Sequence, residues 1–475
     1  MTAFHSIARS CFASASMLVA MMAMGAEPVL DLGQGLRLAA AGDASPASGA
    51  PKANGGVDAL LADDNLEEAT SPPTKFFGFD QIETAYTYAR PAHWSELTNR
   101  LELGAQGGFS DSLKWKISGR FDYGAIYDLS DFYPHQVKED QRYNAQFRET
   151  FVDIGAGDFD FRVGRQQIIW GEVVGLFVAD VVSAKDLRES LVMDFDLLRI
   201  PQWAARAEYF KNDIHVEAIW IPFPTVDNIG KPGSEFYAYP PPPPPNTAYI
   251  INNERKPAED GSQENFGLRA SILRGGWDVA GFAYRSVDAQ PSFFRQIVTT
   301  PVPAYVYTPR HEKITQYGTT MSKDFDDFLF KAEAVYTIGQ NFSTTNPADG
   351  DGLVAQNYLD YILSFEVPLA DEARFNAQLF QRVYKHHDDF IYPRRVESGA
   401  TLFWSGKLGQ HWEPQILAIH SLDHNDWLLR PKMVYNFAKN WRAVGGVDIF
   451  GGHPTGLFGQ YDQKDRVYAE MRWSF

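Results

Sequence analysis

Cysteine is nearly absent from this chain of 475 residues: the only one is Cys11. Disulfide frameworks, thiol chemistry and cysteine-ligated metals are therefore excluded from the rest of the sequence. Past the amino terminus no apolar run reaches the ~18 residues a membrane helix needs. Excess positive charge is lacking too. The 60 acidic residues outnumber the 43 Lys and Arg, giving a formal charge of −17, which argues against nucleic acid. Catalytic signatures are also missing: no nucleophile elbow, no zinc-protease helix motif, no glycine-rich phosphate loop. The densest His/acid cluster, His386-His387-Asp388-Asp389, reads as a solvated loop. Adjacent residues of a strand point apart, so the four cannot share a metal there. The expectation is no cofactor, no metal, no catalytic residues and no enzyme.

Aromatic residues, by contrast, are abundant: 34 Phe, 22 Tyr and 11 Trp. Such content suits a β-barrel with aromatic girdles at two membrane interfaces, and an aromatic-rich secreted sandwich is the competing reading. Residues 1–26 read as a secretory signal, with Arg9 before an apolar stretch over 11–24 and small residues Gly25-Ala26 at its end. Residues 27–75, rich in Ala, Gly, Pro, Ser and Asp, read as a flexible periplasmic linker. Residues 76–475 read as the barrel.

Alternation carries that assignment. Over 113–127, Leu113, Trp115, Ile117, Phe121, Tyr123, Ala125 and Tyr127 share one face, with Lys114, Lys116, Ser118, Arg120 and Asp122 on the other. Runs of about 10 residues exceed an ordinary sheet strand and match a tilted membrane crossing. The last segment sets Val467, Ala469, Met471, Trp473 and Phe475 against Arg466, Glu470, Arg472 and Ser474. A terminal aromatic on such a strand resembles the signal read by the barrel assembly machinery, so Trp473 and Phe475 are the assembly-signal candidates. The pattern predicts an all-β antiparallel transmembrane barrel of 16–18 strands, best 18. Its connections alternate between short turns, most with Gly, Asn or Asp, and mostly long loops such as 171–200, 223–263 and 288–310.

The inward face is charged. Lys114, Lys116, Arg120, Asp122, Arg148 and Arg162 are candidate pore-lining residues, since opposed charges in a wet lumen set ion preference. Salt-bridge ladders filling a closed lumen are the alternative. Alternation breaks after Val163, and 171–200 mixes apolar and charged residues irregularly. Left outside, so apolar a loop would invite aggregation. It is expected to fold into the pore as a constriction, with Arg165, Glu172, Asp180, Lys185, Asp186 and Arg188 contributing. A loop capping the rim is the other reading. Six prolines, Pro240 to Pro245, read as a stiff surface spacer.

The run from Arg162 to Glu172 (Arg-Val-Gly-Arg-Gln-Gln-Ile-Ile-Trp-Gly-Glu), followed by Ala179-Asp180-Val181-Val182 and Lys185-Asp186-Leu187-Arg188, resembles the bacterial family called domain of unknown function 1302. Where that family carries Asn-Pro-Arg/Lys-Asp, this chain has Ser183-Ala184-Lys185-Asp186. The arrangement also looks like the eighteen-stranded alginate exporter. The resemblance implies the outer membrane of a Gram-negative bacterium, with its lipid and lipopolysaccharide as surroundings, and an inner-membrane exporter of the resistance-nodulation-division type as partner. The leading expectation is an outer-membrane channel or export port for a solute of lipid-like or hydrophobic character. An outer-membrane lipid-modifying enzyme and a surface scaffold or adhesin are the alternatives.

Overall fold

A computed structural model describes residues 29–30, 38–39, 73–173, 177–188, 195–370 and 372–475. The expected signal over 1–26 lies outside the described residues. So does most of the expected linker over 27–75, apart from two paired dipeptides, Val29–Leu30 and Leu38–Ala39, and residues 73–75, the last of which opens the first barrel strand.

Eighteen strands close into one antiparallel barrel. They are β1 (Lys75–Thr87), β2 (His93–Ser110), β3 (Leu113–Gly124), β4 (Tyr143–Ala156), β5 (Phe159–Gln166) and β6 (Gln202–Lys211). Next come β7 (Ile214–Phe223), β8 (Asn265–Arg274), β9 (Trp277–Val287), β10 (Lys313–Asp324), β11 (Leu329–Ser343) and β12 (Leu353–Pro368). The last are β13 (Arg374–Lys385), β14 (Val396–Ser405), β15 (Trp412–Ser421), β16 (Asp426–Ala438), β17 (Trp441–Gly451) and β18 (Arg466–Ser474). Each pairs with its neighbour, and β18 closes on β1 with Glu470 opposite Glu83. Closure leaves no open edge, the condition for a sheet in lipid. Among the described residues no helix is long and apolar enough to cross a membrane, which says nothing about a barrel.

Turn chemistry holds one rim tight. Asn212 (φ 51°) joins β6 to β7, and Gly275 and Gly276 (φ 61° and 77°) join β8 to β9, in left-handed conformations these residues tolerate. The opposite rim carries the long connections. The one after β9 forms strands of its own: Ser292–Val298 and Ala304–Arg310 pair with each other, and the second also pairs in parallel with Ala248–Ile251. The sequence reading errs at the end of β3. Ala125 and Tyr127 do not continue the strand; the chain turns helical over Ile126–Leu129, and Tyr127 is buried against Tyr133.

The period-2 pattern becomes an outside and an inside. Phe121 and Val467 are each 44% exposed on the outer face, while Arg120 (2%) and Glu470 (3%) are buried inside. Rings line the short-turn rim in sequence: Trp412–Tyr435, Tyr435–Phe437, Phe437–Trp441, Trp441–Trp473 and Trp473–Phe475, with centroids 4.3–6.1 Å apart. Phe475 exchanges two backbone hydrogen bonds of 3.0 Å with Gly78, so the terminal residue completes the seam with β1. Replacing Trp473 with Asp, or removing Phe475, is expected to lower the amount of heat-modifiable folded protein in membrane fractions. Near an interface a charge on the lipid face costs only ~0–1 kcal/mol, so the loss should lie in assembly more than in final stability. Unchanged gel migration and yield in both variants would count against this role.

Candidate functional site

Between β5 and β6 the described residues, 167–173, 177–188 and 195–201, lie against the inner side of the barrel wall. Trp170 starts the inward course. It is buried on Phe282 and Tyr284, with centroids 5.1 and 5.7 Å away, and its indole N–H donates to Glu217 of β7 at 2.9 Å. Glu333 of β11 then accepts three backbone N–H groups, from Glu172 (2.5 Å), Val173 (2.7 Å) and Ala179 (2.8 Å). Lys331 donates to the carbonyl of Glu172 at 3.0 Å. Arg269 and Thr320 reach the Glu172 carboxylate at 3.6 and 3.2 Å.

The far end of the segment is tied elsewhere. Arg120 of β3 donates to the carbonyl of Leu197 at 2.9 Å, and Arg148 of β4 to that of Arg199 at 2.8 Å. Counting round the barrel, β3 and β11 are eight strands apart one way and ten the other. The segment is therefore anchored on nearly opposite walls, and its backbone groups find charged wall partners in place of water.

The candidate pore residues fall into three sets. Arg120 and Asp122 belong to a buried wall network in which Arg100 bonds Glu83 and Asp122, both at 3.0 Å, and Arg120 lies 3.2 Å from Asp122. Lys116 pairs with Glu149 at 2.5 Å, Arg162 with Asp153 at 2.9 Å, and Lys114 stands opposite Asp153 in register. Arg148 and Glu149 reach the lumen side by side because the β3–β4 register shifts between Ile117 and Gly119. Within the segment, Asp180 pairs with Arg199 (2.8 Å) and Asp186 with Arg188 (2.6 Å). Lys185 is buried over Phe177, and its ammonium donates to the carbonyl of Ser183 at 3.0 Å.

Arg165 corrects the sequence reading. It stands opposite Thr150 and Trp203, on the same face as Val163, and Val163 and Trp203 are 54% and 40% exposed. Strand alternation thus turns Arg165 to the outer face at the long-loop end of β5, where a long side chain can reach toward the interface. Gly164 beside it needs to be glycine: φ is 133°, and a Cβ would lie 2.3 Å from the Thr150 carbonyl oxygen.

Burial alone would push the Asp186 carboxyl up, but Arg188 and Arg120 outweigh it and hold the pKa down to about 2. A carboxylate with a depressed folded pKa stabilises the fold above its ordinary value near 3.9, and that contribution is lost only as pH falls toward about 2. The Asp186–Arg188 pair is therefore expected to persist in mild acid. Asp186→Asn should weaken docking at neutral pH, because the contact of Asp186 with Arg120 of the wall, 4.0 Å, loses its charge. Hydrogen exchange of residues 177–188 reads this; exchange that accelerates already between pH 6 and 5 in the unmodified protein would contradict it.

Other features escaped the sequence reading. The inner wall carries an apolar belt: Ile362, Phe380, Phe403, Leu417, Leu428 and Phe450, on β12 to β17, form one buried cluster with Val173 and Val178 of the segment and with Phe458 and Tyr461 of the connection after β17, between inward polar residues such as Asp360, Gln378 and Arg382. The charged network occupies β1 to β4 and continues through Arg430, Asp448 and Arg466 on β16 to β18. Pro240 and Pro241 do not stand away as a rod, since their carbonyls accept from Tyr249 (2.6 Å) and Tyr307 (2.8 Å). Among the described residues Glu208, His215 and Glu217 bring possible metal-ligand atoms within 4.8 Å of one another. Each already has a partner: Arg206 bonds Glu208 at 2.8 Å, His215 lies 3.0 Å from Glu208, and Trp170 bonds Glu217. His387 sits in its loop with Nε2 2.8 Å from the Pro393 carbonyl.

Comparison with known proteins bears on the fold. OccAB3 of Acinetobacter baumannii is 7% identical, with TM-score 0.50 over 85% of this chain and 99% of that one. OccAB2 of the same organism is 9% identical, with TM-score 0.50 over 85% and 98%. A loop-deleted OmpT, an outer membrane protein of Vibrio cholerae, is 12% identical, with TM-score 0.44 over 86% and 100%. The likeness to the two Acinetobacter baumannii barrels is one of fold: this barrel is of the outer-membrane kind. No curated protein matches. A family model matches residues 102–475, and by that match the chain belongs to the family described as protein of unknown function DUF1302.

Proposed function

We propose that this protein is an outer-membrane channel for a solute of lipid-like or hydrophobic character, narrowed by the segment 167–201. The observation that carries the reading is the anchoring of that segment on nearly opposite walls, through Glu333 on one side and Arg120 and Arg148 on the other. An eighteen-strand barrel is too wide for wall side chains to fill, so an inserted segment decides what passes. The apolar belt of the inner wall, which the segment covers, would meet an apolar cargo when the segment moves aside. In this reading the short-turn rim faces the periplasm, where an inner-membrane exporter hands over the cargo. The carboxy-terminal strand is the part offered to the assembly machinery.

Purified protein in a planar bilayer tests the proposal. Discrete conductance steps with a charge preference are the expected result. Silent bilayers from protein shown to be folded would refute it, and ester hydrolysis of a phospholipid by the same preparation would then favour a lipid-modifying enzyme.

A further inference from the structure

Above the barrel, on the long-loop side, lies a cavity of about 780 Å³, within the range of small-molecule sites. Its walls come from five connections, including the short one after β15 with His424, and from the strand ends beside them. The one after β3 gives Phe132, the one after β7 gives Tyr237, Tyr239 and Pro240 to Pro242, the one after β13 gives Tyr392, and the one after β17 gives Leu457 and Tyr461. The site thus exists only when these distant segments are assembled.

Charge in the cavity is settled internally. Glu235 lies 3.0 Å from Lys464 and 2.7 Å from His93. Glu397 faces His424 at 3.7 Å, and hydrogen bonding to Glu397 raises the His424 pKa toward the charged form. Each of the two carboxylates among the lining residues thus has a basic partner within 4 Å. An ionic ligand would have to compete with those pairs, so affinity falls to ring faces and apolar area.

Depth supplies the second observation. Phe380 and Tyr461 line the cavity, and both also belong to the buried apolar cluster of the inner wall with Phe403, Leu417, Leu428 and Phe450. The cavity floor is therefore continuous with the apolar belt of the inner wall.

We infer that this cavity is a binding site for an uncharged small molecule with an apolar, ring-bearing body, placed where the solute enters or leaves the lumen. The inference rests on the channel reading and narrows its cargo. A long-chain anionic lipid and an organic cation are the competing occupants.

The test uses the full chain in lipid nanodiscs, with empty nanodiscs as the partition control. Binding of 2-naphthol, naphthalene-2-sulfonate and a naphthylmethyl trimethylammonium ion is measured by saturation-transfer NMR at pH 7, and planar-bilayer conductance is recorded in parallel. The neutral probe should bind about tenfold or more tightly than either ion, and Tyr239→Ala with Tyr392→Ala should weaken it roughly tenfold. Both tyrosines are largely exposed, at 53% and 46%, so the barrel should fold normally, which heat-modifiable migration verifies. Tighter binding of either ion, or unchanged binding in the double variant, would overturn the inference. Conductance without probe binding would reject the site and keep the channel; binding with silent bilayers would reject the channel and keep the site.

Discussion

Deleting residues 173–196 is expected to raise single-channel conductance roughly two- to fivefold and to weaken charge preference, because an open eighteen-strand barrel leaves an aqueous bore. The deletion removes Val173 and Val178, which cover the apolar inner wall, and Asp180, Lys185 and Asp186, which bring charge off the wall. The barrel should survive the loss. Its strands are paired without a gap from β1 to β18, and Gln166 stands opposite Gln202 in the ladder that flanks the segment. Folded deletion protein with an unchanged conductance step would place the constriction elsewhere.

A single substitution should produce much of the same opening. Glu333→Leu removes the common acceptor of the Glu172, Val173 and Ala179 N–H groups. Each buried donor left without a partner costs ~1–3 kcal/mol, so three cost at least about 3 kcal/mol, a shift of about a hundredfold in docking. Leu matches Glu roughly in volume and Glu333 is 2% exposed, so cavity effects are small and lost hydrogen bonding dominates. Glu333→Gln keeps a carbonyl oxygen and should be milder. Frequent transitions to a larger conductance level in Glu333→Leu are the expected reading. A record identical to that of the unmodified protein would show that the segment is held by its apolar contacts alone.

The wall was largely legible because two local rules fix it: period-2 burial and turn chemistry. Lys211, Arg274, Val287, Lys385, Ser421 and Ala438 end strands where the pattern stops. Failures came where a local rule lost to tertiary contact. Tyr127 continues the alternation on paper, yet packing on Tyr133 and a hydrogen bond to Gln141 favour a helical turn. Arg165 reads as a lumen residue by charge, but the register with Trp203 turns it out. The anchors of the segment were illegible for another reason: Glu333 and Glu172 lie 161 residues apart, and no local pattern links them. The apolar belt of the inner wall did leave a trace. Leu379-Phe380, Leu402-Phe403, Ile416-Leu417, Leu428-Leu429 and Ile449-Phe450 are doublets that put apolar side chains on both faces of a strand.

The central claim is that ions pass through the barrel and that 167–201 lines their path. Cysteine scanning under voltage tests it most directly, since Cys11 is the only native cysteine. Glu172→Cys places a thiol on the segment beside Lys331 and Arg269, whereas Leu379→Cys places one on the outer face, where Leu379 is 58% exposed. A bulky, membrane-impermeant methanethiosulfonate added to the bath should reduce the current of Glu172→Cys stepwise and leave Leu379→Cys unchanged. Equal insensitivity of the two, with modification of Glu172→Cys verified by mass, would contradict the account.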